Sequence, residues 1–307
     1  TDHVPDMIAL IQRLLDKGVA YRSDDGSVYF GIDRYDAYGR LARVDKSGLR
    51  PGARVAQDEY EKESLADFAL WKAWDETDGD VAWDSPWGRG RPGWHIECSA
   101  MSMRYLGESF DIHTGGQDNI FPHHEDEIAQ SEAATGKPFA RFWLHCAHLV
   151  VDGRKMSKSL GNFFTLRDLR GKGWSGREIR YVLLSTHYRQ GLNFTFDSLG
   201  GARAALQRLD EFRGRLATAA GAAAPGPLPA WAQASPALFH EALADDLNIS
   251  AALGVLFDLV HLGNRAVDAG DAKPADAAAV VALLDSWDRI LGVLAPEEEQ
   301  ADEAVVE

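Results

Sequence analysis

Residues 110–135 read FDIHTGGQDNIFPHHEDEIAQSEAAT, and the order of signals in this stretch decides the fold. Phe110-Asp111-Ile112 reads as a short strand, Gly115 and Gly116 make a turn, and 123–135 predicts a helix. The run from Trp143 to Val151 then predicts another strand. Strand, glycine turn, helix and strand in succession is the alternation of an α/β layered core.

Upstream, Pro5 to Leu15 is apolar at helical spacing and is stopped by Gly18. Val19–Tyr21 and Val28–Phe30 flank Asp25-Gly26, the pair that closes a tight hairpin. Residues 31–87 carry turn signals and little periodicity, and the loop from Trp83 to Gly93 leads into a helix starting near Trp94. Downstream, 174–216 reads as helical and 217–235 as an Ala/Pro/Gly-rich linker. Segments 236–247, 250–268 and 275–294 suggest an antiparallel helical bundle.

With 307 residues and 45% apolar content, the chain can bury the cores of two or three units. No run approaches the roughly 20 apolar residues of a membrane span, and no leader pattern is visible, so a cytoplasmic protein without membrane contact is expected. Two cysteines, Cys98 and Cys146, are too few for a disulfide framework. The formal charge of −15 argues against a generic nucleic-acid binder. Its distribution is uneven: 167–215 holds ten Lys+Arg against five Asp+Glu, whereas 216–307 holds three against fifteen. A basic island of this kind suits either one RNA surface or ordinary solvated helix faces. Arg177, Arg180, Arg189, Arg203 and Arg208 are its candidates.

Two constellations carry chemistry. Lys155-Met156-Ser157-Lys158-Ser159 follows Asp152-Gly153 after a strand, and two ammonium groups on a mobile turn suit a polyphosphate whose charge builds as its α-phosphate is attacked. His123 and Glu127, four apart on a helix, share a face, and with Cys98 from another element they make a thiolate, imidazole and carboxylate set suited to zinc. His124, Glu125 and Asp126 are alternative ligands by the same spacing. Cys146, in the apolar run Phe142–Cys146, reads as a small buried hydrophobe. Gly116 and Asp118 follow the strand at 110–112, where small residues admit a ligand and a carboxylate can accept ribose hydroxyls.

The runs Gly93-Trp94-His95-Ile96-Glu97-Cys98-Ser99-Ala100-Met101, Phe110 to Asp118, Phe121 to Gln130 and Lys155 to Ser159, in that order, resemble the cysteinyl-tRNA synthetases, class I enzymes. The resemblance extends from the first helix to Asp245-Asp246-Leu247-Asn248 and is strongest between 83 and 196. It implies ATP-dependent activation of L-cysteine to cysteinyl-adenylate and its transfer to tRNA(Cys) by a monomer, with one zinc ion per chain and Mg2+ accompanying ATP. It assigns Cys98, His123 and Glu127 to the metal, Trp94 and His113 to the cysteine pocket, Gly116, Asp118 and Lys158 to ATP, and Lys155 and Lys158 to catalysis. Trp94 has core packing as its alternative.

The implied organisation is a connective insertion at 1–87 and, at 88–166, the second half of a Rossmann-like core. A helical stem-contact region at 167–216, the linker at 217–235 and an all-α RNA-binding bundle at 236–307 follow. The His-Ile-Gly-His element and the second zinc cysteine of that family are not found in this sequence, and neither is a basic terminal module. The expectation is therefore a piece cut at both ends and inactive by itself. Two rival readings are a cysteine ligase of mycothiol synthesis with an amino-sugar acceptor, and a non-catalytic RNA-binding derivative.

Overall fold

The computed structural model describes residues 1–44 and 67–294. Part of the irregular stretch expected within 31–87, and the last residues of the terminal bundle, lie outside the described residues. The chain divides into two compact units, Thr1–Cys146 and Ala147–Glu307.

In the first unit, α1 (Val4–Asp16) buries Val4, Met7, Leu10, Ile11 and Leu14, the stripe that its helical spacing predicts. Each large aliphatic side chain so buried contributes about 1.5–3 kcal/mol. A four-stranded antiparallel sheet follows, formed by β1 (Ala20–Arg22), β2 (Val28–Phe30), β3 (Phe68–Ala73) and β4 (Gly90–Pro92) in that spatial order. Tyr21 faces Tyr29 across the expected hairpin, and Trp71 faces Pro92. Leu70 and Trp71 are fully buried, so β3 is the centre of this core.

Gly93 joins β4 to α2 (Trp94–Leu106) where a Cβ would lie 2.0 Å from the Ala69 carbonyl oxygen. Only glycine lets the backbone press on β3 there, and that contact fixes where α2 begins. Next come β5 (Phe110–Gly116), α3 (His123–Thr135) and β6 (Ala140–Cys146). β5 and β6 pair in parallel, with His113 opposite Trp143, so the expected strand, helix, strand order is a true βαβ unit. β5 is longer than expected, and the strand expected over 143–151 is two strands, one in each unit.

Cys146 corrects one expectation: it is exposed, not buried. It ends β6, which pairs only with β5 among the described residues, so alternating apolar letters place no second layer over that side. Ile112 and Phe142, opposite each other in the pair, are likewise more than half exposed.

The second unit opens with β7 (Leu149–Val151) and β8 (Arg154–Lys155), a hairpin whose turn residues Asp152 and Gly153 both have positive φ. Helices α4 (Leu166–Gly171) and α5 (Gly176–Leu184) follow, each started by a reciprocal capping box, Thr165 with Asp168 and Ser175 with Glu178. The segment expected to be helical over 174–216 is interrupted by β9 (Leu192–Phe194), which pairs in parallel with β7. Leu192-Asn193-Phe194 is a short strand held by its pairing with β7, which a window over the helical segment does not contain.

Helix α6 (Phe196–Ala220) then enters the bundle with α7 (Ser235–Ala244), α8 (Ile249–Ala269) and α9 (Pro274–Leu291). Its core includes Phe212, Leu216, Leu256 and Leu291, with Phe239 stacked on Trp287 at 4.2 Å. No helix among the described residues is long and apolar enough to cross a membrane.

The arginines of the basic island work inside this unit. Arg177 grips Asp210 with two hydrogen bonds, Arg203 pairs with Glu178, and Arg189 pairs with Asp246. Arg180 donates to the carbonyl of Leu291 at the end of α9, and Arg208 lies over the Phe257 ring. These five arginines are therefore engaged in contacts within this unit.

Candidate active site

Helix α3 departs from amphipathic design. Every residue from His123 to Ser131 is buried, including His123, His124, Glu125, Asp126 and Glu127. Charged groups taken out of water cost several kcal/mol unless partnered, so each must be accounted for.

Two of them are structural. Glu125 accepts the backbone N–H groups of Gly39 and Ala42 at 2.7 and 2.8 Å, and Asp126 accepts the Tyr38 hydroxyl at 2.5 Å. Both carboxylates are thereby committed to the segment after β2, which weakens their claim as ligands. Burial holds the Asp126 carboxyl well above its usual range.

Glu127 is different. It is completely buried, and its Oε2 accepts from His113 Nε2 at 3.1 Å, while Oε1 has no hydrogen-bond partner. An unpartnered buried carboxylate oxygen costs about 1–3 kcal/mol or more, so something is expected to occupy it. The ligand atoms of Cys98, His123 and Glu127 lie within 4.8 Å of one another. α2 brings the thiol and α3 the other two, as the i, i+4 spacing predicts.

A second trio, His113, His124 and Glu127, meets the same distance test and shares the carboxylate. One mixed sulfur, nitrogen and oxygen set whose carboxylate keeps an unpartnered oxygen fits a zinc ion better than it fits a packed polar core.

The surroundings keep the imidazoles neutral. Burial, then His123, brings His95 down to about 3, and burial, then His113, does the same for His124. Burial also lowers His123, with Glu127 opposing. Neutral imidazole is the form that offers a lone pair to a metal. Burial, then Glu127, pushes the Cys98 thiol up to about 11, so without a cation the sulfur keeps its proton.

Trp94, the first residue of α2, is 59% exposed and stacks on His123 with ring centroids 4.3 Å apart. The core alternative for Trp94 is thereby removed: it forms an open wall beside the trio. His113 contacts both Glu127 and the Trp143 ring. Gly116 ends β5, and Asp118 follows on a short 3-10 turn with its side chain exposed. At Gly115 a Cβ would meet the His124 ring at 2.5 Å, so the glycine admits that imidazole against the strand.

Lys155 and Lys158 belong to the second unit. Their loop is tied by Asn162, which accepts from the Ser157 N–H and donates to the Lys155 carbonyl. Lys158 lies 5.8 Å from the Phe163 ring, its ammonium otherwise facing outward.

The sequence reading passed over His95, His145 and Tyr38. His95 sits one residue after Trp94 and three before Cys98, on adjoining positions of the helix, and that spacing was the available signal. His145 reaches His124 across the βαβ crossover, at 2.8 Å, and no local pattern announces it.

Residues 1–204 match the family model described as the tRNA synthetases class I (C) catalytic domain, and 238–295 match the DALR domain. Among curated proteins, the cysteine–tRNA ligase of Chlamydia pneumoniae is 52% identical over 300 residues, covering 96% of this chain and 63% of that protein. The cysteine–tRNA ligase of Protochlamydia amoebophila is also 52% identical, over 96% of this chain and 62% of its own length. This chain thus spans somewhat under two thirds of these relatives.

Among solved structures, Mycobacterium tuberculosis methionyl-tRNA synthetase in complex with methionyl-adenylate superposes with a TM-score of 0.64 at 15% identity, over 96% of this chain and 72% of that one. At that identity the likeness speaks for the fold alone. The family match covers about two thirds of the sequence and includes every site residue described above, so the chain belongs to the class I tRNA synthetases of the (C) catalytic-domain family.

Proposed function

We propose that the protein of which this chain forms the matched part is a cysteine–tRNA ligase: it joins L-cysteine to ATP and passes the aminoacyl group to tRNA(Cys). The observation that carries this reading is the Cys98, His123 and Glu127 trio, whose ligand atoms lie within 4.8 Å of one another and whose buried carboxylate keeps one oxygen without a hydrogen-bond partner. A zinc ion held there would supply selectivity, because a thiolate is a soft ligand that a serine hydroxyl or an alkyl side chain cannot imitate. Trp94 and His113 flank the trio and would bound the amino acid.

In the first step the cysteine carboxylate oxygen attacks the α-phosphorus of ATP, the bond to the β-phosphate oxygen breaks, and pyrophosphate leaves with Mg2+. Lys155 and Lys158 would neutralise the charge gathering on the departing phosphates. Gly116 and Asp118, at the C-terminal end of a parallel strand, suit the ribose side of the nucleotide. In the second step a terminal ribose hydroxyl of tRNA attacks the acyl carbon, and AMP leaves.

The organisation that goes with this reading has an insertion at 1–87, catalytic residues at 88–166, stem-contacting helices at 167–216, a linker at 217–235 and an RNA-binding bundle from 236. Because Arg177, Arg180, Arg189 and Arg203 are engaged within their own unit, the exposed Arg167, Arg170 and Lys172 are better placed to meet phosphate.

The test uses the full-length protein with cysteine and ATP, offering tRNA(Cys) or a glucosaminyl-inositol as acceptor. Cysteine-dependent ATP–pyrophosphate exchange together with charging of tRNA supports the reading. Exchange with transfer only to the amino sugar overturns it, as does the absence of exchange.

A further inference from the structure

His95 is no member of either ligand trio, yet it touches the site from behind. Its Nδ1 lies 2.7 Å from Nδ1 of His123, and its Nε2 lies 3.2 Å from Oδ2 of the buried Asp126. Tyr38 donates to the other oxygen of Asp126, and Gln130 donates to the His95 backbone carbonyl, so both ends of this row are anchored. Only 12% of the His95 side chain and 2% of the Asp126 side chain are exposed, which leaves little room for water to take over either contact.

These distances constrain which nitrogen of each ring bears hydrogen. Two imidazole nitrogens 2.7 Å apart need one donor and one acceptor, since two N–H groups would collide and two lone pairs would repel. Asp126 already accepts the Tyr38 hydroxyl, and its second oxygen beside His95 Nε2, as an acceptor too, favours hydrogen on that nitrogen. A neutral His95 then presents a lone pair at Nδ1, and His123 must donate to it from its own Nδ1. What is left on His123 is a bare Nε2, the nitrogen lying 3.7 Å from Glu127.

We infer that His95 is a positioning residue: it accepts the His123 Nδ1 hydrogen, with Asp126 and Tyr38 behind it, and so holds His123 in the tautomer whose Nε2, on the Glu127 side, is free to act as a ligand. A metal-binding histidine is commonly oriented by a group on its second nitrogen, usually a carboxylate or a carbonyl. Here another imidazole takes that place, with Asp126 behind it. Trp94 stacks on the His123 ring and restrains its tilt, but a stacked ring does not choose between tautomers.

The inference rests on the metal assignment above, and its test separates the two. The probes are zinc alone, titrated against a chromophoric chelator, and the imidazole nitrogen–proton correlations of the 15N-labelled, metal-free 307-residue chain. His95→Phe keeps a ring and removes the acceptor, whereas His95→Gln restores a carbonyl acceptor.

The expected result is a His123 signature with hydrogen on Nδ1 in the unsubstituted metal-free chain, lost in His95→Phe and kept in His95→Gln. Zinc affinity should fall about 10–100-fold in His95→Phe and only a few-fold in His95→Gln. Unchanged circular dichroism in both variants keeps the comparison fair. Hydrogen on Nε2 of His123 in the unsubstituted chain overturns the inference, and so does a zinc affinity untouched by His95→Phe. If the unsubstituted chain binds no zinc, the metal assignment fails, and the tautomer measured without metal still decides the role of His95.

Discussion

Replacing Glu127 by Gln should move stability in opposite directions with and without zinc. The side chain is fully buried, one oxygen accepts from His113, and the other is unpartnered. Without metal, removing the buried charge relieves part of an unmet desolvation cost of about 1–3 kcal/mol. The low end, about 1 kcal/mol, applies because glutamine leaves one amide group unpaired in the same place. At about 2–4 °C per kcal/mol for a domain of this size, the chelator-treated variant should melt about 2–4 °C above the unsubstituted chain.

With zinc the sign reverses. A ligand present at a hundred times its Kd stabilises by about 2.7 kcal/mol. If losing a direct ligand weakens binding at least as much as losing the strongest outer partner does, about a hundredfold, then about 0.4 kcal/mol remains. The zinc-induced rise in Tm should therefore shrink by about 5–9 °C in Glu127→Gln. Scanning calorimetry of both proteins, with zinc and with chelator, measures all four values. An equal zinc-induced rise in the two proteins would refute the reasoning, as would a variant less stable than its parent in chelator.

Other regions make separate predictions. Phe239→Ala removes a 3%-exposed ring stacked on Trp287 and should cost the helical bundle about 3–5 kcal/mol in urea unfolding, with zinc content unchanged. Asp246 is held at about 2, against an ordinary 3.8, by the hydrogen bond from Arg189 and then that from Tyr188. A depressed carboxyl contributes stability that is complete above about pH 4 and vanishes as pH falls through about 2. Asp246→Asn should accordingly flatten the acid-induced loss of stability between those limits in melts recorded stepwise from pH 5 to pH 2. In the full-length protein, Lys158→Ala should slow cysteine-dependent pyrophosphate exchange by about 10²–10³-fold, while chelator titration shows undiminished zinc binding.

What was legible in the sequence had local signals. The i, i+4 pair His123 and Glu127 and the Asp25-Gly26 turn each act within a few positions, and the structure places the corresponding elements within a residue or two of where their letters point. What escaped had its cause elsewhere in the chain. β9 exists because β7, over forty residues earlier, offers a parallel edge; a window over 174–216 contains no trace of that partner.

Cys146 reads as buried because its neighbours are apolar, but burial depends on what covers a strand. The arginines of the basic island looked like a surface because like charges cluster in sequence, whereas their counter-charges, Asp210 on α6 and Asp246 in the turn after α7, lie tens of residues away. At the candidate site, spacing pointed to the trio that the structure brings together, and only the fold revealed the row from Tyr38 through Asp126 and His95 to His123.

The central claim is that Cys98, His123 and Glu127 hold a cation able to take a substrate sulfur. Cobalt(II) in place of zinc makes this visible, because sulfur-to-cobalt charge transfer in the near ultraviolet reports each thiolate bound. Such a band is expected in the cobalt-loaded full-length protein, weakened in Cys98→Ser and strengthened by L-cysteine but not by L-serine. A cobalt spectrum that is the same in Cys98→Ser, or that L-cysteine leaves unaltered, would contradict it.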